Sequence, residues 1–343
     1  LAGAWRRAYS SLIELSGVTM PNGITARHLL IVLIAGVAAV LSGCTAASSP
    51  SPSETVTPLE PLTLRSVIDA EPESPTFELV QETTDFDGDP AEVVSYESGG
   101  FDVQAVIRRP VDAASPAPAV ILVHGTADPE EYSGLTDYDD LADGFVDRGY
   151  VVVMPDLRNY ADSEDDPRWE TDIDIGGTLD VINAARAAAV DPGVDPSRIA
   201  LMGHSSGGTM VINAAVAAPE VATAVVAAAP ASATAWTNVD TFLSGTPFYD
   251  EVVAAHGTPE ESPDFWRDVS SLTFVERAQA PLLVVHGEAD VDVPHEWSAE
   301  LVDEWIAAGK DAQFEPIVGA DHSFDEPGNS LQLIEEFLAA KMP

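Results

Sequence analysis

The sequence predicts an α/β protein: a mostly parallel, doubly wound sheet with helices on both faces and one long insertion. Three observations carry that prediction. Short, continuously apolar runs recur at Ala119–Val123, Val151–Met154, Ile199–Met202, Ala224–Ala229 and Leu282–Val285, as strands buried on both faces do. Between and after them, apolar side chains fall at helical spacing over about Asp139–Arg148, Ile173–Ala189, Gly208–Ala217, Pro294–Ala308 and Ser330–Ala340, with Gln313–Val318 as a further strand. Several runs end in turn chemistry, at His124-Gly125-Thr126, Pro155-Asp156 and Gly203-His204-Ser205-Ser206-Gly207-Gly208.

Upstream of this series, Glu92–Ser98 and Phe101–Arg108 alternate apolar and polar residues about Gly99-Gly100 and read as an antiparallel hairpin at a sheet edge. The folded domain is expected to run from about residue 76 to 343. Thr45–Pro61 is rich in Ser, Thr and Pro, so residues 44–75 read as a flexible tether. The apolar segment Leu29–Gly43, preceded by Arg27 and His28, is shorter than the ~20 residues a membrane span needs; residues 1–43 read as a signal peptide. Met20 opens a conventional signal peptide, which leaves residues 1–19 upstream of the expected start. Leu41-Ser42-Gly43-Cys44 resembles the lipobox of secreted lipoproteins, and Cys44 is the chain's single cysteine. Its place after an apolar segment suits lipidation and anchoring at the outer face of the cell membrane better than a catalytic thiol.

Against 15 basic residues stand 57 acidic ones, a formal charge of −42, and lysine is confined to Lys310 and Lys341. Removing residues 1–43 takes away three arginines and one glutamate, leaving about −44. Such a surface repels nucleic acid and anionic membranes and suits a protein kept soluble at high ionic strength. The sequence leaves the oligomeric state open.

Ala231–Ala280 interrupts the β/α series and is longer than the ~15 residues beyond which loops in compact domains are uncommon. It holds Trp236, Phe242, Phe248, Tyr249, Phe265 and Trp266. So many large aromatics predict a cap over a site, with Trp236 and Phe248 lining the substrate pocket.

Ser205 lies between an apolar run and an alanine-rich helix, in Gly-x-Ser-x-Gly. A serine there sits on a tight turn with small flanking residues, its hydroxyl exposed and the next amide, Ser206 N–H, at a helix N-terminus that favours an oxyanion. A serine hydroxyl needs a base, and the base needs an acid. In this kind of sheet the chain order is Ser, acid, His. Asp290 follows one strand and His322 the next, so loops at neighbouring carboxyl ends converge. Asp292 is the second choice of acid. His124 reads as structural and His204 as pointing away from the substrate, while His286 ends a strand and His256 and His295, in the insertion and at a helix start, show no metal-ligand spacing. The second oxyanion donor is expected on the loop after Ala119–Val123, at Thr126 N–H, with Ala127 the alternative. Asp85-Phe86-Asp87-Gly88-Asp89 faintly matches a calcium loop but lacks its twelfth-position acid, and reads as a solvated acidic turn.

These segments resemble the α/β-hydrolase superfamily, above all the catalytic domains of prolyl oligopeptidase-type serine peptidases and the dienelactone-hydrolase-like esterases. The resemblance runs from about Phe101 to Ala340. It is carried by Val194-Asp195-Pro196-Ser197-Arg198-Ile199 leading into the Ser205 turn, by His286-Gly287-Glu288-Ala289-Asp290 with Val293-Pro294, and by Ala320-Asp321-His322-Ser323-Phe324. It implies Ser205 as nucleophile, Asp290 as acid, His322 as base, and no metal or organic cofactor. Two departures qualify it: residues 45–100 are too few for the family's large β-propeller, and Pro155-Asp156-Leu157-Arg158-Asn159-Tyr160 lacks the glycines that commonly follow this Asp-x-Arg. The expectation is therefore an ester hydrolase, with a serine exopeptidase or amidase as the alternative and a non-catalytic binding protein on the same fold as the weaker third.

Overall fold

The computed structural model describes residues 60–111, 116–324 and 330–343. The apolar segment 29–43, Cys44 and the tether as far as residue 59 lie outside them. One compact unit, Pro61–Pro343, holds every element named below.

In chain order these are α1 (Leu64–Asp69), β1 (Glu78–Thr84), β2 (Pro90–Ser98), β3 (Phe101–Arg108), β4 (Ala117–Val123), α2 (Asp139–Val146), β5 (Val151–Pro155), α3 (Ile175–Val190), β6 (Val194–His204), α4 (Ser206–Ala217) and β7 (Ala224–Ala228). The insertion follows as α5 (Ala235–Asn238), a π turn (Val239–Leu243), α6 (Pro247–His256), α7 (Pro263–Asp268) and a 3₁₀ turn (Ser271–Arg277). The chain then gives β8 (Leu282–Gly287), α8 (Glu296–Ala307), β9 (Ala312–Ile317) and α9 (Ser330–Lys341).

The strands form one sheet in the order β1-β2-β3-β5-β4-β6-β7-β8-β9. The first three joins are antiparallel and the remaining five parallel. Every residue of β5, β7 and β8 is buried, as strands covered on both faces must be. Alternate side chains feed two cores: Ile121, Val153, Leu201, Ala227 and Val284 face α3, α4 and α8, whereas Val120, Val152, Met202, Val226 and Leu283 face α2 and α9. Each of these side chains larger than alanine contributes about 1.5–3 kcal/mol by leaving water, so Ile121→Ala would cost about 2–5 kcal/mol once the cavity is counted.

The structure extends three of the sequence readings. The Gly99-Gly100 hairpin is present, with φ of 60° and 85° at its two glycines, but it is not the sheet edge. That edge is β1, whose residues are almost all exposed on both faces and so carry no alternating signal. The packed region also reaches back into the stretch read as tether. Thr63 and Ser66 close a reciprocal capping box on α1, with both bonds at 2.9 Å, and Leu64 is fully buried. Arg65 lies over the Phe274 ring at 4.6 Å. Leu64, Val67 and Ile68 do fall at helical spacing, but six residues beside a Ser/Thr/Pro-rich stretch are too short a run to stand out in the sequence.

The insertion is helical, and its last part is fixed to the body of the domain. Its 3₁₀ turn packs back on α4, where Arg277 donates to the carbonyls of Val216 and Ala217 at 2.9 and 3.2 Å. These are orphan carbonyls at the far end of the helix that begins beside Ser205, and a cation there also suits the helix dipole. At 1.5 Å per residue, that contact is roughly 15 Å along the axis from the nucleophile turn.

Candidate active site

The β6–α4 junction fixes Ser205 in a conformation that side chains rarely take, φ 56° and ψ −122°. Its flanks have no room for a side chain. A Cβ on Gly203 would lie 2.2 Å from the Gly207 carbonyl oxygen, and one on Gly207 would lie 2.4 Å from that of His124. Strand and helix can therefore meet only through glycine. Ser206 opens α4, so its N–H has no partner within the helix.

Ser205, His322 and Asp290 are brought together from the ends of β6, β9 and β8. The Ser205 hydroxyl lies 3.0 Å from His322 Nε2, and His322 Nδ1 lies 2.7 Å from Asp290 Oδ2. A carboxylate only accepts, so Nδ1 carries the ring proton and Nε2 is left to accept from the serine. Asp290 Oδ1 accepts the backbone N–H groups of Asp292 and Val293 at 2.8 and 2.9 Å. The alternative acid, Asp292, thus supports Asp290 through its backbone.

Sequence reasoning missed a second histidine on the same carboxylate. His286 Nε2 donates to Asp290 Oδ2 at 2.9 Å, while His286 Nδ1 accepts from the buried Ser298 hydroxyl at 2.7 Å. Burial alone would raise the Asp290 pKa. Hydrogen bonds from His286, His322 and Val293 N–H outweigh it and hold the carboxyl well below the usual carboxylate range. Near neutral pH Asp290 is therefore ionised.

Thr126 is placed beside the turn, its hydroxyl 3.2 Å from Ser206 Oγ. Its loop is anchored by His124, whose buried ring stacks on Tyr132 at 3.9 Å and whose Nε2 meets the Asp156 carbonyl at 3.1 Å. Burial lowers the pKa of His124, in keeping with a structural ring. Trp236 lies in the insertion's own aromatic cluster, 4.8 Å from Trp266 and 5.9 Å from Tyr249 by ring centroids, and Phe248 is half-buried on α6. His256 ties α6 to the β5–α3 loop by donating to the Thr171 carbonyl at 2.9 Å.

That loop carries a buried ion network no local pattern announces. Arg158 bonds Asp180 through Nε and Nη2 at 2.9 and 2.7 Å, and Asp166 through Nη1 at 2.9 Å. In the acidic turn, Asp85 Oδ1 accepts the N–H groups of Gly88 and Asp89 at 2.9 and 2.8 Å. Asp85, Asp89 and Asp143 lie close enough for a metal, but the Arg108 guanidinium is already paired with Asp85 at 2.5 Å and with Asp143. Arg108 thus occupies the centre of the cluster and offsets part of its negative charge, and the turn read as solvated has Asp85 buried and Asp89 exposed.

The profile of the prolyl oligopeptidase family matches residues 138–339. The chain belongs to that family. Among curated proteins, this prolyl oligopeptidase family member is similar to the uncharacterized peptidase YuxL of Bacillus subtilis, 26% identical over 251 residues that cover 72% of this chain and 37% of that one. It is 27% identical to feruloyl esterase B of Neurospora crassa over 221 residues, 62% of this chain and 73% of the esterase. The chain thus spans well under half the length of the peptidase it matches. Among solved structures, Porphyromonas gingivalis dipeptidyl peptidase 4 superposes with a TM-score of 0.60 at 21% identity, over 74% of this chain and 36% of that one. Acetyl xylan esterase from Paenibacillus sp. R4 does so with 0.62 at 15% identity, over 81% and 92%. These likenesses show the shared α/β-hydrolase fold.

Proposed function

We propose that this protein is a serine hydrolase that cleaves carboxylic esters through an acyl-enzyme. The observation that carries the reading is the unbroken chain from Ser205 Oγ to His322 Nε2 at 3.0 Å and from His322 Nδ1 to Asp290 at 2.7 Å. Ser205 Oγ attacks the acyl carbon while His322 Nε2 takes its proton, and Asp290 stabilises the imidazolium. The carbonyl oxygen, now an oxyanion, is received by Ser206 N–H and Thr126 N–H. His322 then protonates the departing alcohol, and water repeats the sequence to release the acid.

Ester and amide hydrolysis share this chemistry and differ in the pocket. The ester is favoured because the match to the feruloyl esterase runs along 73% of that protein, against 37% of the peptidase. An exopeptidase or amidase is the second reading, supported by the family itself. Purified protein assayed on p-nitrophenyl esters of graded chain length beside aminoacyl-p-nitroanilides separates them: ester turnover far above anilide turnover is expected, and the reverse would overturn the preference. Trp236 and Phe248 are proposed as the apolar wall of the acyl pocket.

Export and lipid attachment at Cys44 are part of the same proposal, supported by the apolar segment 29–43 and Leu41-Ser42-Gly43-Cys44. Mass spectrometry of the protein from its own host should find an acylated Cys44 as the first residue. A mature chain starting elsewhere would remove the anchor.

A further inference from the structure

We propose that Tyr138 and His204 are positioning residues, a hydrogen-bonded relay that locks the oxyanion loop, the nucleophile turn and the His322 loop in register for attack. The inference rests on the serine-hydrolase reading above. Gly125 N–H, one residue before Thr126, donates to the Tyr138 hydroxyl at 3.1 Å. That hydroxyl lies 3.0 Å from His204 Nδ1, and His204 Nε2 lies 2.8 Å from the backbone carbonyl of His322.

The polarity of the relay is fixed at both ends. An amide N–H only donates and a carbonyl only accepts, so His204 carries its proton on Nε2 and Tyr138 O–H must point at Nδ1. Burial lowers the His204 pKa to about 4, so near neutral pH the ring is uncharged and Nδ1 is free to accept. Three chain segments meet in one line: the loop after β4, the residue before the nucleophile, and the residue that takes its proton.

Two further observations mark the relay as built rather than incidental. Tyr138 holds φ at 61°, a left-handed conformation that is an outlier for a bulky side chain, yet it makes no side-chain cap on α2, which it precedes. Its hydroxyl instead makes both bonds of the relay, to Gly125 N–H and His204 Nδ1. Gly125 is equally constrained, since a Cβ there would lie 3.0 Å from Ser205 Cβ and 3.2 Å from the His204 carbonyl oxygen. The His204 ring is also packed against the rings of His322 and Phe324, with centroids 4.8 and 6.1 Å away. Loosening the relay would let the oxyanion amides and His322 drift relative to Ser205, and a misplacement of ~1 Å can cost on the order of 10²-fold in rate.

The test uses the whole protein with Tyr138→Phe, His204→Ala, His204→Gln and the double variant Tyr138→Phe/His204→Ala. Tyr138→Phe and His204→Ala should each lower kcat by about ten- to a hundredfold with KM close to wild type, and lower Tm by a few degrees because each leaves polar partners in the relay unpaired. The double variant should be little worse than either single one, because both break the same line. His204→Gln, whose amide N–H reaches where Nε2–H stood, should recover much of the kcat lost in His204→Ala. The rate of fluorophosphonate labelling at Ser205 should follow kcat through the series. Unchanged kcat in Tyr138→Phe, additive losses in the double variant, or a His204→Gln no better than His204→Ala would each overturn the relay while leaving Ser205-dependent hydrolysis standing. A wild-type protein that turns over neither esters nor anilides and leaves Ser205 unlabelled would overturn both readings.

Discussion

Asp156 offers a test of the structure that does not depend on the substrate. Asp156 is 5% exposed, at the carboxyl end of β5, and its Oδ1 has no hydrogen-bond partner. Burial pushes its pKa up from the ordinary 3.8 to about 7, with the Gly134 N–H giving partial relief and the charge of Asp162 adding to the rise. Over the window from pH ~4 to pH ~7 the folded protein keeps a proton that the unfolded chain has released, so stability falls as pH rises. A shift of about three pH units is worth roughly 4 kcal/mol, fully expressed above pH ~7. Asp156→Asn removes the titration but places an amide in the same tight space, at a cost of about 1–3 kcal/mol that does not vary with pH. The informative quantity is therefore the pH dependence of the difference between variant and wild type. Urea unfolding followed by tryptophan fluorescence at pH 4.5, 6 and 8 should show the variant gaining on wild type by about 2–4 kcal/mol across the series. A difference independent of pH would mean that Asp156 titrates at its ordinary value, and would refute the argument from burial.

Ser205→Ala, His322→Ala and Asp290→Asn should each lower kcat by a factor on the order of 10⁴ or more, with doubles far from additive; near wild-type turnover in Ser205→Ala would end the hydrolase reading. Trp236→Ala and Phe248→Ala should reduce kcat/KM for long acyl esters more than for acetyl esters, because apolar pockets discriminate by about 1–3 kcal/mol per methylene. Equal losses along the series would place both side chains in the insertion's own packing. With a formal charge of −42, the melting temperature should rise between 0.1 M and 2 M NaCl as the Debye length contracts from ~10 Å to ~3 Å or less; a flat or falling curve would count against salt adaptation.

The parallel strands were legible because two-sided burial writes a continuous apolar run, and the candidate triad because turn residues follow each run in a fixed chain order. What stayed hidden depends on partners far apart in sequence. His204 meets Tyr138 across 66 residues and His322 across 118, and nothing local to Gly-His-Ser says which way that ring turns. Arg108 and Arg158 look like surface charge in sequence, yet their side chains are 2% and 3% exposed and meet carboxylates of other elements, Asp85 and Asp143 for the first and Asp180 for the second. His286 was readable as the end of β8, but its place on Asp290 depends on the turn between them. The far part of the insertion escaped for a different reason: aromatic content shows that a segment is packed, not against which surface.

The backbone adds an asymmetry that ties these hidden features to the site. Among the described residues, the non-glycine residues at positive φ are Tyr138, Leu157, Asn159, Ala161, Asp174, Ser205, Ala229 and Phe324. All follow the carboxyl ends of β4, β5, β6, β7 or β9, on the edge where Ser205 emerges. At the other edge the turns into β5 and β9 use glycine, Gly149 and Gly309, while on the carboxyl edge Gly319 after β9 does the same. Glycine there meets the same geometry without strain. At about 1–3 kcal/mol for each strained residue, the carboxyl edge carries a load that the two cores must offset. It is borne where side chains are needed: the hydroxyls of Tyr138 and Ser205, the buried Leu157, and the Phe324 ring beside His204. The edge that holds the reactive groups is thus the one whose sequence departs from the simplest turn chemistry.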